Sequence, residues 1–328
     1  SYSPGIKDQN TRKFTMIIRS LNLSAEKGTV KKPVNSVTIN KTGLEGDAHA
    51  GEWHRQVSLL GEESYAGSGF SIQEPLPYGI FAENITTLGA PAPDTPDLKS
   101  CRPGDFFRCG RVLLEVTQIG KKCHGPGCAV MQQTGHCVMP VEGIFARALS
   151  EGTLSVGDPL VYEPKIYRIG VITLSNRAYN GTYEDRSGPL LARLISSFCE
   201  AEGWKHKTTN TLLPDDEMLL ENEVLKFIHA GYDMIFTTGG TGMGPADITV
   251  QVLKPLIDKE IPGIMEFIRI KYGSENPNAL ISGSLAGLAG NTMIFALPGS
   301  VRAVEEYFTE IARCLKHLVY MRMGLDIH

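Results

Sequence analysis

The sequence predicts two domains of different fold class: a mostly-β N-terminal domain, barrel or sandwich, and a C-terminal three-layer α/β domain with a mostly parallel sheet. Three observations carry this expectation. At 328 residues the chain is long enough for two domains of ordinary size, each with its own core. Before residue 164 the apolar runs are short and separated by glycine- and proline-rich connections, the pattern of many short strands. After it, apolar β-branched runs alternate with segments of helical spacing, as in strand–helix–strand units with helices on both faces of a parallel sheet.

Taken in order, residues 1–14 are polar and read as a flexible tail. Within a first domain spanning 15–163, strands are expected over Thr15–Leu23, Val34–Asn40, Gln56–Leu60, Arg111–Gln118 and Pro159–Tyr162, and helices over Gly61–Ala66 and Val141–Leu149. The boundary falls where the short strand before Lys165 ends in a proline. In a second domain spanning 164–328, strands are expected over Arg168–Leu174, His206–Leu213, Met234–Thr238 and Thr292–Leu297. The expected helices there are Ser187–Glu202, Asp215–His229, Thr249–Asp258 and Ser300–Met321.

Composition narrows the function classes. The chain is 42% hydrophobic and 21% charged, as expected of a soluble globular protein. Its net charge of −4 gives no electrostatic reason to expect nucleic acid or an anionic membrane as partner. No apolar run approaches the roughly 20 residues of a membrane-spanning helix, and the N-terminus lacks the apolar core of a signal peptide. Seven cysteines, an odd number without an export signal, suggest reduced thiols in a cytoplasmic protein rather than a disulfide framework.

The strongest motif runs from Thr237 through Gly239-Gly240-Thr241-Gly242 to Asp247, after an apolar strand and before a helix. Glycines there let the backbone approach a ligand, and exposed amides at a helix start suit phosphate. The spacing is neither the dinucleotide fingerprint nor the Walker P-loop, and the same turn would also serve as a strand-to-helix connection that binds nothing. With Ile248-Thr249 after it, this motif resembles the signature of the MogA/MoaB/gephyrin family. So do Gly170 to Ser175 with Arg177, Gly181, Asp185, Ser187 and Gly188; Leu213-Pro214-Asp215-Asp216; Ser282 with Ala286-Gly287; and Leu297-Pro298-Gly299-Ser300.

The resemblance implies a molybdopterin adenylyltransferase that uses ATP and Mg²⁺ to adenylylate the dithiolene pterin phosphate. It implies that Asp215 and Asp247 hold Mg²⁺ and are catalytic. It also implies that the amides of Gly239, Gly240, Thr241 and Gly242 cradle a phosphate, that Ser175, Arg177 and Asp185 line the opposite rim, and that Ser282, Pro298, Gly299 and Ser300 complete the site on the pterin side. Each aspartate would alternatively serve as a helix N-cap. Two departures from the family pattern stand out: Ala246 and Gly283 occupy positions where the family usually carries arginine. Each removes a cation from a site for polyanions, with Arg177, Arg186 and Arg302 left to compensate.

The first domain crowds functional residue types into Gly46 to Ser58, including His49, Trp53, His54 and Arg55, followed by Phe81 to Ile85, Thr117 to His124, Gly143 to Arg147 and Val156 to Asp158. Together these are similar to a MOSC domain, the β-rich barrel module shared with molybdenum cofactor sulfurases. The resemblance makes Cys123 the candidate to carry or receive sulfur. Lys121, Lys122 and His124 beside it would favour its reactive thiolate. His49, His54 and Arg55 would form an anion pocket for a pterin phosphate, with Trp53 as a stacking face; all four also suit plain structural roles.

The leading expectation is therefore an enzyme of molybdenum or tungsten cofactor maturation, a homo-oligomer and by family a trimer, dealing with other assembly proteins or apo-molybdoenzymes. The first alternative is a non-catalytic pterin-cofactor carrier or scaffold, favoured by Ala246 and Gly283. The second is a metal-binding protein built on Cys123, His124, Cys128, His136 and Cys137, although their spacing is not one of the usual zinc patterns.

Overall fold

The computed structural model describes residues 14–66, 76–89, 98–122, 129–134 and 136–325. Residues 1–13 of the expected tail lie outside the described residues, as do Cys123, His124 and Cys128, whereas Phe14 already belongs to a strand. The chain divides into two compact units, one running to Lys165 and taking in the segment from Met323, the other Ile166–Arg322.

The first unit comprises β1 (Phe14–Leu23), β2 (Lys32–Val34), β3 (Ser36–Asn40), β4 (Gly43–Leu44), β5 (Val57–Gly61), α1 (Glu63–Ala66), β6 (Ile85–Leu88), β7 (Phe106–Cys109), β8 (Val112–Ile119), α2 (Ala129–Thr134), α3 (Met139–Glu142), β9 (Ile144–Ala148), β10 (Gly152–Ser155) and β11 (Pro159–Glu163). Seven strands close into a barrel in the order β11-β7-β8-β9-β5-β6-β1, because β1 pairs with both β6 and β11. Alternation decides which side faces in: Phe14, Met16 and Ile18 of β1 are buried while Thr15, Ile17 and Arg19 are exposed. Ile18, Leu59, Ile85, Phe107, Leu114 and Ile144 meet in the barrel core.

The helix expected over Val141–Leu149 is corrected. Only Met139–Glu142 is helical, and after Gly143 the chain turns into β9, paired with β5 and β8. Burial of Ile144, Phe145, Ala146 and Ala148 between two neighbouring strands outweighs the helical spacing of the same residues.

A buried ion pair pins the segment before β5 to the barrel. The Lys31 ammonium meets the Asp47 carboxylate, and both side chains are essentially inaccessible to solvent. Asp47 Oδ2 also accepts from the Asn84 side-chain Nδ2 at 2.9 Å and the Ser24 backbone amide at 3.2 Å, and Oδ1 accepts from the His49 backbone amide at 3.0 Å. Burial alone would push the Asp47 carboxyl up, but the hydrogen bond from His49 and the Lys31 ammonium overcome it and hold it well below the usual carboxylate range.

The second unit comprises β12 (Ile166–Leu174), α4 (Asn176–Tyr179), α5 (Ser187–Ala201), β13 (Lys205–Leu213), α6 (Glu217–His229), β14 (Met234–Thr238), α7 (Thr249–Leu253), β15 (Lys259–Glu260), α8 (Pro262–Gly273), β16 (Ala286–Ala289), β17 (Thr292–Leu297) and α9 (Val301–Arg322). The sheet order is β13-β12-β14-β17-β16-β15. The expected mostly parallel sheet is corrected to a mixed one: β13, β12, β14 and β17 run parallel, β16 pairs antiparallel with β17, and β15 pairs antiparallel with β16, so both pairings at this edge are antiparallel. The reason is local, since Gly290-Asn291 joins β16 to β17 with Gly290 at φ +54°, a two-residue hairpin that reverses the chain. Strands β14 and β17 are buried throughout. Leu220, Val224, Phe227 and Leu253 of α6 and α7 pack with Ile172, Ile235 and Ile294 of the sheet. Phe308 of α9 packs against Phe236 of β14, and α5 lies against α9 and β12. The result is three layers.

The buried pair generates a stability prediction. Lys31→Met leaves Asp47 buried and unpaired, so unfolding stability at neutral pH should fall by about 3–5 kcal/mol, read as a lower urea midpoint. Asp47's folded pKa lies below its unfolded one, so its stabilisation is present above about pH 4 and lost as pH falls. The gap between native and variant chains should therefore narrow in acid.

Candidate functional site

In a sheet ordered this way, the loops after adjacent parallel strands diverge at the carboxyl ends and leave a crevice. Four such loops, following β12, β13, β14 and β17, line a cleft of about 940 Å³ in the second unit. The cleft brings together Ser175, Arg177, Asp185, Asp215, Gly239, Gly240, Thr241, Gly242, Asp247, Ser282, Pro298, Gly299 and Ser300, every site residue expected in this half of the chain.

The motif after β14 is shaped by what its glycines avoid. Gly239 has φ +101°, and a Cβ there would stand 2.3 Å from the Leu174 carbonyl oxygen. Gly240 has φ +65°, and its Cβ would meet the Thr249 hydroxyl at 2.5 Å, the hydroxyl that donates to Gly239 O at 2.7 Å. Thr238 Oγ1 donates to Pro298 O at 3.0 Å, and the Gly239 amide donates to Leu297 O at 3.0 Å, tying the turn after β14 to the turn after β17. Gly299 lies against Gly239, where its Cβ would stand 3.1 Å from the Gly239 Cα.

The two aspartates do not cap helices. The N-cap of α6 is Asp216, whose carboxylate accepts from the Leu219 amide at 2.9 Å, and the N-cap of α7 is Ile248. Asp215 instead exchanges hydrogen bonds with Asn176: its Oδ2 accepts from the Asn176 amide at 3.2 Å, and its own amide donates to Asn176 Oδ1 at 3.1 Å. Asp247 Oδ2 accepts from the Gly244 amide at 2.9 Å, closing the motif loop. Each carboxylate thus keeps oxygen capacity to spare, and both residues line the cleft. Among the described residues no group of three or more His, Cys, Asp or Glu side chains is placed to hold a metal ion. Two carboxylates suit Mg²⁺, which is commonly held by one or two carboxylates together with substrate phosphates.

Other members of the set already have structural partners. Ser175 Oγ caps α4 by accepting from the Ala178 amide at 3.2 Å, Asp185 accepts from the Gly188 amide at 3.0 Å, and Ser300 Oγ accepts from the Ala303 amide at 3.2 Å. Ser282 Oγ pairs with Ser284 Oγ at 2.8 Å. Of the compensating cations, Arg302 is paired with Glu306 at 2.6 Å and Arg177 stands 5.7 Å from the Tyr183 ring centre. Sequence reasoning missed Tyr183, Asn276, Asn278, Glu306 and Tyr307, which also line the cleft. They belong to no motif: Tyr183 lies between α4 and α5, Asn276 and Asn278 between α8 and β16, and Glu306 and Tyr307 on α9.

In the first unit, His49, Trp53, His54 and Arg55 gather before β5. The Trp53 indole donates to His49 O at 2.6 Å, and its ring is already engaged, with the Arg55 guanidinium 5.1 Å and the Lys27 ammonium 5.3 Å from its centre. Arg55 also stands 6.0 Å from the Phe145 ring centre, with Lys121 at 5.8 Å, and its Nε is buried without a hydrogen-bond partner among the described residues. His54 Nε2 meets Gln118 Oε1 at 3.2 Å, and His49 Nδ1 lies 3.3 Å from the Lys31 ammonium. Lys31 is therefore a member of this constellation that the sequence did not single out, and Lys121, expected beside Cys123, and Phe145 join it here.

Of the cysteines, Cys123 and Cys128 lie outside the described residues, and His136 is exposed. Burial, with the neighbouring Asp158 carboxylate, pushes the Cys109 thiol up to about 11, and burial pushes Cys199 up to about 12, so both are held neutral. Among the described residues no helix is long and apolar enough to cross a membrane.

Comparison with known proteins places both halves. Residues 170–317 match the model described as a probable molybdopterin binding domain, and residues 46–161 match the MOSC domain. The molybdopterin adenylyltransferase of Pyrococcus furiosus is 36% identical over 163 residues, covering 47% of this chain and 92% of that protein. The molybdenum cofactor synthesis protein cinnamon of Drosophila melanogaster is 34% identical over 160 residues, 48% of this chain and 26% of its own, so the match spans about a quarter of that relative. The crystal structure of the tungsten cofactor synthesizing protein MoaB from Pyrococcus furiosus is 33% identical, with 48% of this chain and 98% of that one covered at a TM-score of 0.43.

The glycine turn carries its own test. Gly239→Ala puts a methyl against the Leu174 carbonyl at a φ that L-residues rarely adopt, so the variant should lose about 2 kcal/mol or more of stability, measured by urea unfolding. Gly181→Ala is the milder control, since nothing lies within 4 Å of its Cβ position and only the φ of +73° opposes it.

Proposed function

The chain belongs to the family of the molybdopterin adenylyltransferases through its second unit and carries a MOSC domain ahead of it, and from this we propose that it adenylylates molybdopterin in the assembly of a molybdenum or tungsten cofactor. The observation that carries the reading is the convergence of Asp215, Asp247, the Gly239–Gly242 turn and Ser300 on one cleft at the carboxyl ends of four parallel strands.

The proposed reaction moves one group. A pterin phosphate oxygen bonds to the α-phosphorus of ATP, the bond from that phosphorus to its bridging oxygen breaks, and pyrophosphate leaves. Little covalent work falls to the protein, so its tasks are positioning and neutralising charge. The amides of Gly239–Gly242 cradle a phosphate, Ser175, Arg177 and Asp185 hold the opposite rim, and Ser282, Pro298, Gly299 and Ser300 bound the pterin side. Asp215 and Asp247 would hold Mg²⁺, which supplies charge neutralisation to the nucleotide phosphates. Asn176, by bonding Asp215 in both directions, keeps that carboxylate oriented.

The first unit is proposed to bind the same pterin cofactor. Support comes from the buried, unpartnered Arg55 Nε and from Lys27 and Lys121, which share the Trp53 and Phe145 rings with Arg55, a surrounding suited to an oxyanion. Because Trp53 already carries Arg55 and Lys27 on its ring, its role is to hold these cations rather than to offer an open face. Sulfur handling at Cys123 belongs to the same proposal, with Lys121 and Lys122 beside it in sequence. Joining two pterin sites in one chain raises the effective concentration of an intermediate passing between them. A cytoplasmic homo-oligomer fits this reading, and exposed Phe267, Ile270, Leu280 and Ile281 support a self-association surface on the second unit.

A second reading, a non-catalytic carrier, is favoured by the cation supply. Ala246 and Gly283 bring none, and Arg302 is engaged by Glu306. Pyrophosphate release from ATP and Mg²⁺ in the presence of molybdopterin separates the two readings. The native chain should turn over, and Asp247→Asn should lower the rate about 100-fold or more, the scale of losing one electrostatic contact at the reacting phosphates. No turnover in the native chain with molybdopterin still bound would make it a carrier.

A further inference from the structure

Tyr307 has no part in the scheme above. It is among the largest fully buried side chains, 2% exposed, and its hydroxyl has no hydrogen-bond partner among the described residues. Yet Tyr307 lines the cleft, as do Ser300, Ala303 and Glu306. Positions 300, 303 and 307 fall on one face of a helix by their spacing. Side chains on a helix lean back toward its own N-terminus, which from Tyr307 is the direction of Ala303 and Ser300. There α9 begins, with the Ala303 amide capped by Ser300 Oγ at 3.2 Å. A hydroxyl buried without a partner destabilises the chain that carries it, and phenylalanine would fill the same space without that penalty.

Resting on the reading that the Ser300 end of the cleft takes the pterin, we infer that Tyr307 is a specificity-determining residue. Its hydroxyl is held unpaired in the free protein and hydrogen-bonds to the polar edge of the bound pterin ring. A phenol suits that edge because it both donates and accepts, matching the adjoining carbonyl and N–H groups of such a ring. The helix N-terminus adds favourable dipoles around the same acceptor atoms. Discrimination follows from the penalty itself, because a ligand without a polar edge at that point leaves the hydroxyl unpaired.

The test compares the native chain with Tyr307→Phe in anaerobic calorimetric titrations of molybdopterin and, separately, of ATP with Mg²⁺, alongside thermal unfolding of each free protein. The variant should bind molybdopterin about ten-fold more weakly, the worth of one hydrogen bond, with ATP affinity unchanged within about two-fold. Its unfolding temperature should equal or exceed that of the native chain. Equal molybdopterin affinity in both proteins would overturn the inference. A parallel loss for both ligands, or a lower unfolding temperature, would make Tyr307 a structural residue and also overturn it. Failure of the native chain to bind molybdopterin at all would instead overturn the functional reading, and this inference with it.

Discussion

The second unit depends on a place where three strand ends come within touching distance and only glycine fits. β12 ends at Leu174, whose carbonyl oxygen lies where a Gly239 side chain would begin, and Gly299 after β17 lies against Gly239 after β14. The Thr238 hydroxyl and Gly239 amide then bond the two turns together. Bringing these loops close puts the carboxylate of Asp247, the amides of the motif and the first turn of α9 around one cleft. Any side chain at the junction would spread the loops and dilute the convergence that the proposed chemistry needs.

How much of this was legible in the sequence follows from where each signal resides. The parallel strands and long helices of the second unit were readable because burial of β14 and β17 on both faces leaves unbroken apolar runs. The antiparallel edge was missed although its signal, Gly290-Asn291 between two apolar runs, was present. The first unit was harder. Its strands are short, and Ile144–Ala148 has the composition of a helix until β5 and β8 on either side claim its backbone. The site residues carried by the Gly-Gly-Thr-Gly motif and the aspartate loops were readable, since glycine and carboxylate positions recur at fixed spacing. Tyr307, Asn176 and Lys31 were not: Tyr307 is one aromatic on a helix that meets the cleft only once the chain is folded, and Asn176 and Lys31 meet partners distant in sequence, Asp215 and Asp47.

The two units manage buried charge in opposite ways. In the first, Lys31 and Asp47 lie together inside the fold and are satisfied by Asn84, Ser24 and His49, an arrangement that fixes one geometry at the expense of desolvation. In the second, Asp215 and Asp247 stand at the mouth of the sheet with few partners and oxygen capacity to spare. The first kind of site is already complete and rigid; the second is left for something else to complete.

Gly283 bears on how this cleft can change over evolutionary time. The resemblance expects arginine both there and at position 246, but the two positions are not equally open to it. Ala246 is exposed and can lengthen without displacing a neighbour. At Gly283 even a first carbon would lie 3.2 Å from the Thr241 carbonyl oxygen and 3.3 Å from a Val250 methyl. Thr241 is part of the Gly239–Gly242 turn, so an arginine at 283 would press on that loop. A more cationic cleft is therefore reached more readily at 246 than at 283, where Thr241 and Val250 must give way by a few tenths of an ångström to admit any side chain.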